Sequence, residues 1–565
     1  MVPTRPQHHH QHQHQHQHQH QHQHQHHYGL LVGAALIFTI VWFGLLAGRA
    51  LYDPDEGRYA EIPREMLAGD ILIPHLNGLI YLEKPPLQYW ITALAYRLFG
   101  ESEGIARLWT GVTGYLSLGL VFLLGRQLWG FDAGLKALTF TAGSVLFVLL
   151  GHQLTLDMSM SFLLLGALAC FLLAQTQREF PTPRPWRLWM LGCWVFVAFA
   201  VLTKGLIGVL IPGATLVLYG FWQRDREIFK FLNIRWGFPL FLLIAAPWFI
   251  LAARANKEFL QFFFVREHFQ RFLTPIEHRT EPWWFFVAVL IIGVLPWIAE
   301  AVRALWRTLK KPSLPGRFDA ERVLWVWCVF VMVFFSLSDS KLIPYILPVV
   351  PALALLCSAP SLGESRLSTV LGSALSLIAA VGILAYASAR WSSAGGRALA
   401  LQLQPILTLS GFFLAAVAGF CLVLAWQRVR IGRALLCGAW FCVTVSILQA
   451  GVGAERFFSA KEMAMAIRSR SAPVVPVFAV RTYDQSLPFY LKQAVVLVDY
   501  HDEFSLGLGQ EPQKGMATVQ EFAQAWRTLE DGFAVMPDST WAGFQAQGLP
   551  MHEIARFSRR VLVRR

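Results

Sequence analysis

Residues 31–47 read LVGAALIFTIVWFGLLA, seventeen positions without a charge. The same texture returns at Leu135–Leu150, Phe162–Leu173, Leu206–Tyr219, Leu240–Ala252 and Ala434–Leu448, each almost free of charge. A helix needs about 20 apolar residues to cross the hydrocarbon core of a bilayer, and with their flanks these stretches qualify. Composition agrees: the 565 residues are 55% hydrophobic and 15% charged, against about a quarter charged in soluble domains. The chain reads as a mainly α, polytopic membrane protein. Residues 31–47 lack a small-residue cleavage site and are long enough to stay as an anchor rather than serve as a signal peptide.

Hydropathy gives about thirteen spans: roughly 28–48, 106–125, 133–151, 158–176, 187–203, 205–221, 236–253, 283–306, 323–337, 342–358, 367–388, 405–426 and 432–451. Pro86–Gly100 is apolar but short and reads as an interfacial helix. With the N-terminus inside, the cytoplasmic loops collect Arg126 and Lys136; Arg178, Arg184 and Arg187; Arg224, Arg226, Lys230 and Arg235; Arg307, Lys310, Lys311, Arg317 and Arg322; and Arg428, Arg430 and Arg433. That bias is the positive-inside rule at work. It also accounts for the net charge of +13 without nucleic acid. The seven cysteines all lie in apolar segments and read as small buried residues, not as a disulfide framework.

Three domains follow. Residues 1–27 are a His/Gln-rich cytoplasmic tail of low complexity, which cannot form a core. Residues 28–454 hold the membrane helices. Residues 455–565 turn polar, and "VVPVFAV" (474–480), "AVVLVDY" (494–500) and the helical pattern of Val519–Leu529 predict a small α/β domain. No inverted repeat is visible, which disfavours a transporter.

Five charged groups fall on the non-cytoplasmic side. The first loop, "YDPDEGRYAEIPREMLAGD" (52–70) and "LIYLEKPPLQYW" (79–90), carries Asp55, Glu56, Arg58, Tyr59, Glu83 and Lys84. A loop of about 35 residues is too long for a plain connector. "HQLTLDMSM" (152–160) puts Asp157 in a tight turn, where it suits a helix N-cap as well as a site. "LTKGLIG" (202–208) leaves Lys204 alone between two apolar spans, to snorkel or to face a lipid phosphate. "FVREHFQRFLTPIEHRTEPWW" (264–284) alternates Arg266, Glu267, His268, Arg271, His278 and Arg279 with aromatics, as an interfacial anchor for anionic headgroups does. His268 with Glu83 could also hold a divalent cation. "SDSKLIPYILPVVP" (338–351) sets Lys341 and Tyr345 at the start of a Pro-rich span. Carboxylates, cations and Tyr beside lipid suit transfer of a group carried on a phosphorylated lipid: cations hold the phosphate leaving group, and a carboxylate positions the acceptor.

At these residues the sequence resembles the bacterial aminoarabinose transferases of lipid A, in the GT-C superfamily of membrane glycosyltransferases. "DPDEGRYAEIPREML", "YLEKPPLQYW", "LTLDMSM", "TKG", "EHFQRFL" and "SKLIPYILP" look like family motifs in family order, and "YDQSLPFYLKQAVVLVDY" (483–500) resembles its periplasmic tail. Gly57 stands where some relatives carry Thr. The resemblance implies an undecaprenyl-phosphate-linked amino sugar as donor and a phosphate of lipid A as acceptor. It implies an inner-membrane enzyme, expected to act as a monomer among membrane lipids, with its active site facing the periplasm. Asp55 would be the principal acid, with Glu56 beside it, and Asp157 would contact sugar or acceptor. Tyr59, Lys84, Lys204, Arg271 and Tyr345 would bind the donor phosphate and wall the cavity, joined by Arg58 and Lys341. No cofactor is required for the chemistry. A zinc-like metal of structural role is expected near Glu83 and His268. A transferase acting on protein or another envelope glycan, a lipid-linked sugar transporter and a scaffold carried by the tail are the alternatives.

Overall fold

In the computed structural model, the described residues are 33–179, 185–270, 280–312, 314–389, 394–470, 475–557 and 560–565. The His/Gln tract lies outside them. Among the described residues, eight helices are long and apolar enough to cross a membrane. They include Glu103–Trp129 (α4), Leu156–Thr176 (α7) and Trp186–Lys204 (α8). Two further pairs bend sharply, by 69° between Phe131–Ala142 (α5) and Val145–Gly151 (α6), and by 81° between Phe285–Gly293 and Leu295–Lys310. Counting each pair as one span gives ten. Gly33–Gly44 (α1), Ile207–Gln223 (α9) and Ile343–Ser358 are apolar but shorter.

The single spans expected at 133–151 and 283–306 are therefore broken. The first stops at Gly143, and Ser144 then takes an extended conformation. The second breaks just before Pro296, which has no N–H to give the ladder. Pro86–Gly100 forms Leu87–Phe99 (α3), a helix of 13 residues, about 20 Å long and too short to cross. Its inner face buries Tyr89, Thr92, Ala93 and Tyr96, while Leu94, Leu98 and Phe99 stay exposed. α7 is buried on nearly every side and forms the centre of the membrane core.

The first loop builds Asp55–Ala68 (α2) and a two-stranded ribbon of His75–Leu76 (β1) and Leu79–Ile80 (β2). The tail folds into a six-stranded sheet of order β5-β4-β3-β6-β8-β7. Its strands are Val477–Val480 (β3), Val496–Val498 (β4), Gly515–Met516 (β5), Phe533–Pro537 (β6), His552–Phe557 (β7) and Arg560–Arg564 (β8). β3 to β6 pair in parallel, and β8 joins β6 and β7 antiparallel. Strand side chains alternate between faces, and the two faces have different partners. Phe478, Val480, Ala534 and Met536 pack on Phe522, Trp526 and Trp541 from the tail's own helices. Val477, Ala479, Val535 and Leu562 share a core with Tyr59, Ile62 and Met66 of α2. The tail is thus docked on the first loop.

Candidate active site

Asp55 opens α2, where a carboxylate complements the positive end of the helix. Its side chain is 37% exposed, and Arg58 Nη1 lies 3.6 Å away. Glu56 sits about 100° further round the helix and points inward. It is fully buried, its oxygens 2.5 Å from Arg49 Nη1 and 2.8 Å from Arg107 Nε. They also accept from the backbone N–H groups of Tyr52 and Leu154, each at 2.9 Å. Burial alone would push the Glu56 carboxyl up, but Arg107 and Arg49 outweigh it and hold it well below the usual carboxylate range. Glu56, expected beside Asp55 at the reacting centre, is instead the anchor that ties the first loop to α4 and to the turn before α7.

The segment just before Asp55 is clamped by the tail. Asp53 accepts from the Ser486 backbone N–H at 2.6 Å and from its hydroxyl at 3.0 Å. Burial raises the Asp53 carboxyl to about 6, although the Ser486 bonds and Arg560 pull the other way. Gly57 is required by this contact, since a Cβ there would collide with the backbone of Gln485 and Ser486. Thr at this position would not fit this docking. Arg58 extends the clamp: its Nη2 is 2.6 Å from Glu503 Oε2 in the tail. Tyr59 is buried against the Tyr89 ring, 6.1 Å between centroids. Burial, and then the Asp55 charge, push its hydroxyl well above the ordinary value; Asp157 and Glu83 add to the same effect.

Glu83 and Asp157 open onto a cavity of about 720 Å³, which Asp55, Arg58 and Tyr59 do not line. Glu83, Lys84, Asp157, Lys204, Glu267 and Tyr345 form its polar end, and Met160, Leu164 and Leu206–Ile211 line an apolar wall. Lys204, the last residue of α8, forms a direct ion pair with Asp157, and its ammonium is 4.7 Å from the centre of the Tyr345 ring. Gly205, at φ +77°, turns the chain at once into α9. The cap of α7 is Thr155, whose hydroxyl accepts from the Asp157 N–H at 3.4 Å. Asp157 is thereby left to Lys204. Lys84 Nζ meets Glu267 Oε2 at 3.0 Å and lies 3.9 Å from Glu83 Oε2.

Lys341, expected to bind substrate, does not line the cavity; its ammonium donates to the Ser338 carbonyl at 2.6 Å. Arg271 and the side chain of His268 lie outside the described residues. Among the described residues no three His, Cys, Asp or Glu converge as a metal site. Glu83 and Glu267 are bridged by Lys84, and His268, the other residue expected at the metal, has its side chain outside the described residues. Glu267, Ser338 and Ser340 are lining residues that the sequence left unassigned. Glu267 was hidden among the cations and aromatics around it, and the serines carry no signal of their own.

Two family models match the chain: the aminoarabinose transferase C-terminal domain at residues 463–565, and dolichyl-phosphate-mannose-protein mannosyltransferase at residues 83–251. The undecaprenyl phosphate-alpha-4-amino-4-deoxy-L-arabinose arabinosyl transferase of Erwinia tasmaniensis is 32% identical over 436 residues, which is 73% of this chain and 76% of that protein. Its namesake from Shewanella sediminis is 27% identical over 499 residues, 84% of this chain and 83% of its own length. The crystal structure of ArnT from Cupriavidus metallidurans bound to undecaprenyl phosphate is similar with a TM-score of 0.86 at 32% identity, covering 95% of this chain and 98% of that one.

Proposed function

Because the chain belongs to the aminoarabinose transferases, a family of GT-C membrane glycosyltransferases, we propose that it moves aminoarabinose from undecaprenyl phosphate to a phosphate of lipid A. The observation that carries this reading is the cavity itself. Two ammonium groups and three carboxylates stand at one end of an apolar wall, which suits a phosphate headgroup on a lipid chain. Lys84 and Lys204 hold the donor phosphate, Tyr345 walls it, and Asp157 keeps Lys204 in place and faces the sugar. Asp55, the exposed carboxylate at the head of α2, sits beside the anomeric centre. An acceptor phosphate is already anionic, so Asp55 orients and stabilises; it need not take a proton. Arg58 holds Asp55 from behind.

The reading places the enzyme in the inner membrane with this cavity towards the periplasm. Residues 28–454 form the transferase unit and 455–565 a periplasmic domain. The chain is taken to act as a monomer. A protein hydroxyl acceptor, the reading nearest the mannosyltransferase match, would require a base with an unpaired, raised carboxyl near Asp55. The deciding experiment is mass spectrometry of lipid A from cells with and without the gene. The expected result is lipid A carrying one added aminoarabinose per modified phosphate, only when the gene is present. Unmodified lipid A together with newly glycosylated protein would overturn it.

A further inference from the structure

The polar groups of the cavity are largely committed within the protein. Lys204 is paired with Asp157, and Lys84 with Glu267. The Ser338 hydroxyl donates to the Ser340 carbonyl at 3.1 Å, and Lys341 Nζ donates to the Ser338 carbonyl at 2.6 Å. Those two bonds fix the turn from Ser338 to Lys341 without the Ser340 side chain. Ser340 is a buried exception. It is 4% exposed and lines the cavity, and its hydroxyl has no hydrogen-bond partner among the described residues. A buried hydroxyl without a partner is costly. Since the turn holds it in place and the described residues leave it unanswered, its partner comes from what fills the cavity.

We infer that the Ser340 hydroxyl donates a hydrogen bond to a non-bridging oxygen of the phosphate that links the donor sugar to its lipid. This deepens the function proposed above and rests on it. Ser340 lies five residues before Tyr345, whose ring stands over the Lys204 ammonium, so it belongs to the cationic end. Both ammonium groups there share their charge with carboxylates, and a phosphate offers more acceptor sites than they can fill. In the transfer, the bond between the anomeric carbon and the donor phosphate oxygen breaks, and the electron pair stays on that oxygen. The lipid phosphate gains one negative charge. An oxygen of the acceptor phosphate forms the new bond to the anomeric carbon, and the acceptor loses one negative charge. No proton moves. A donor fixed against the leaving phosphate therefore binds more tightly as charge develops, which raises kcat rather than lowering KM.

The test uses the purified full chain with undecaprenyl-phosphate aminoarabinose and lipid A, and measures binding of undecaprenyl phosphate separately. Ser340→Ala is expected to lower kcat about tenfold, roughly 1.4 kcal/mol of transition-state stabilisation, with KM little changed. It should weaken undecaprenyl phosphate binding by a similar factor at an unchanged thermal midpoint, and Ser340→Thr should restore both. Wild-type kcat and binding in Ser340→Ala would overturn the inference, because the hydroxyl would then be serving only water. So would a loss that tracks a lowered thermal midpoint and is not rescued by Thr. Failure of the wild type to transfer from this donor would sink the proposed function instead, and undecaprenyl phosphate binding would still decide the role of Ser340.

Discussion

Glu300 and Asp157 are both carboxylates held by cations inside the helical bundle, and they sit in different kinds of surroundings. Glu300 is 1% exposed and meets Arg303 at 2.7 Å, Lys136 at 2.9 Å and Arg433 at 3.5 Å. Its cations have further protein partners, Arg303 in the Leu362 carbonyl and Arg433 in Glu364. Asp157 has the Lys204 ammonium, and that pair looks onto 720 Å³ of space. An ion pair by itself therefore says little about chemistry. Charge enclosed by protein on every side holds helices together, and charge at the edge of a cavity remains available to a ligand. Asp55 and Glu56 repeat the contrast one residue apart, the first facing out and the second locked between two arginines.

The sharpest way to break this contrast is Asp55→Asn. Transfer should fall about a thousandfold, while the thermal midpoint and undecaprenyl phosphate binding stay at wild-type values; wild-type turnover by this variant would end the assignment. Lys204→Met should come next, with kcat/KM down about a hundredfold and folding retained, read from steady-state kinetics beside a melting curve. Glu300→Ala should give the opposite signature. Leaving Lys136, Arg303 and Arg433 without their shared anion should cost about 3 kcal/mol of stability, seen as a lower midpoint and yield, while each folded molecule turns over normally. A turnover defect in that folded fraction would erase the distinction.

The smallest effect is one of pH. Burial, and then the neighbouring Glu61, raise the Glu65 carboxyl to about 8, although the Gly78 N–H pulls it down. In the unfolded chain it titrates near 4.5. Between those values the folded state binds more protons than the unfolded state, so stability should fall as pH rises through that window. Glu65→Gln should flatten this slope in melting curves. An unchanged slope would show that Glu65 is solvated and outside the shared core.

Much of the site was legible because lone charges in apolar surroundings stand out. Asp157 and Lys204 were found that way, and the structure pairs them. The loop containing Lys84 declared itself by its length and mixed charge. What failed depends on direction and distance. Asp55 and Glu56 are neighbours in sequence, but a helix turns them apart. Asp157 looked like its helix's cap because the sequence does not show that Thr155 takes that place. Asp53 and Ser486 are separated by more than four hundred positions, and no local pattern links them. In the fold, the strands Val477–Val480 and Val496–Val498 were visible from the β-branched runs around them. The bends at Gly143 and before Pro296 were not, because the hydropathy that reveals a span is blind to its direction.

The docking of the tail on Gly57 and Asp53 also governs when the site comes into being. A ribosome delivers the first loop early and Ser486 long afterwards. The sheet beside Ser486 holds β8 in an interior place between β6 and β7, so it is complete only once β8 has paired. A chain made only as far as the membrane helices already holds Asp55, Lys84, Asp157 and Lys204, with α2 fastened through Glu56 but not yet clamped by Ser486. The loop should therefore gain its second fastening only after β8 has paired, long after its own residues were made.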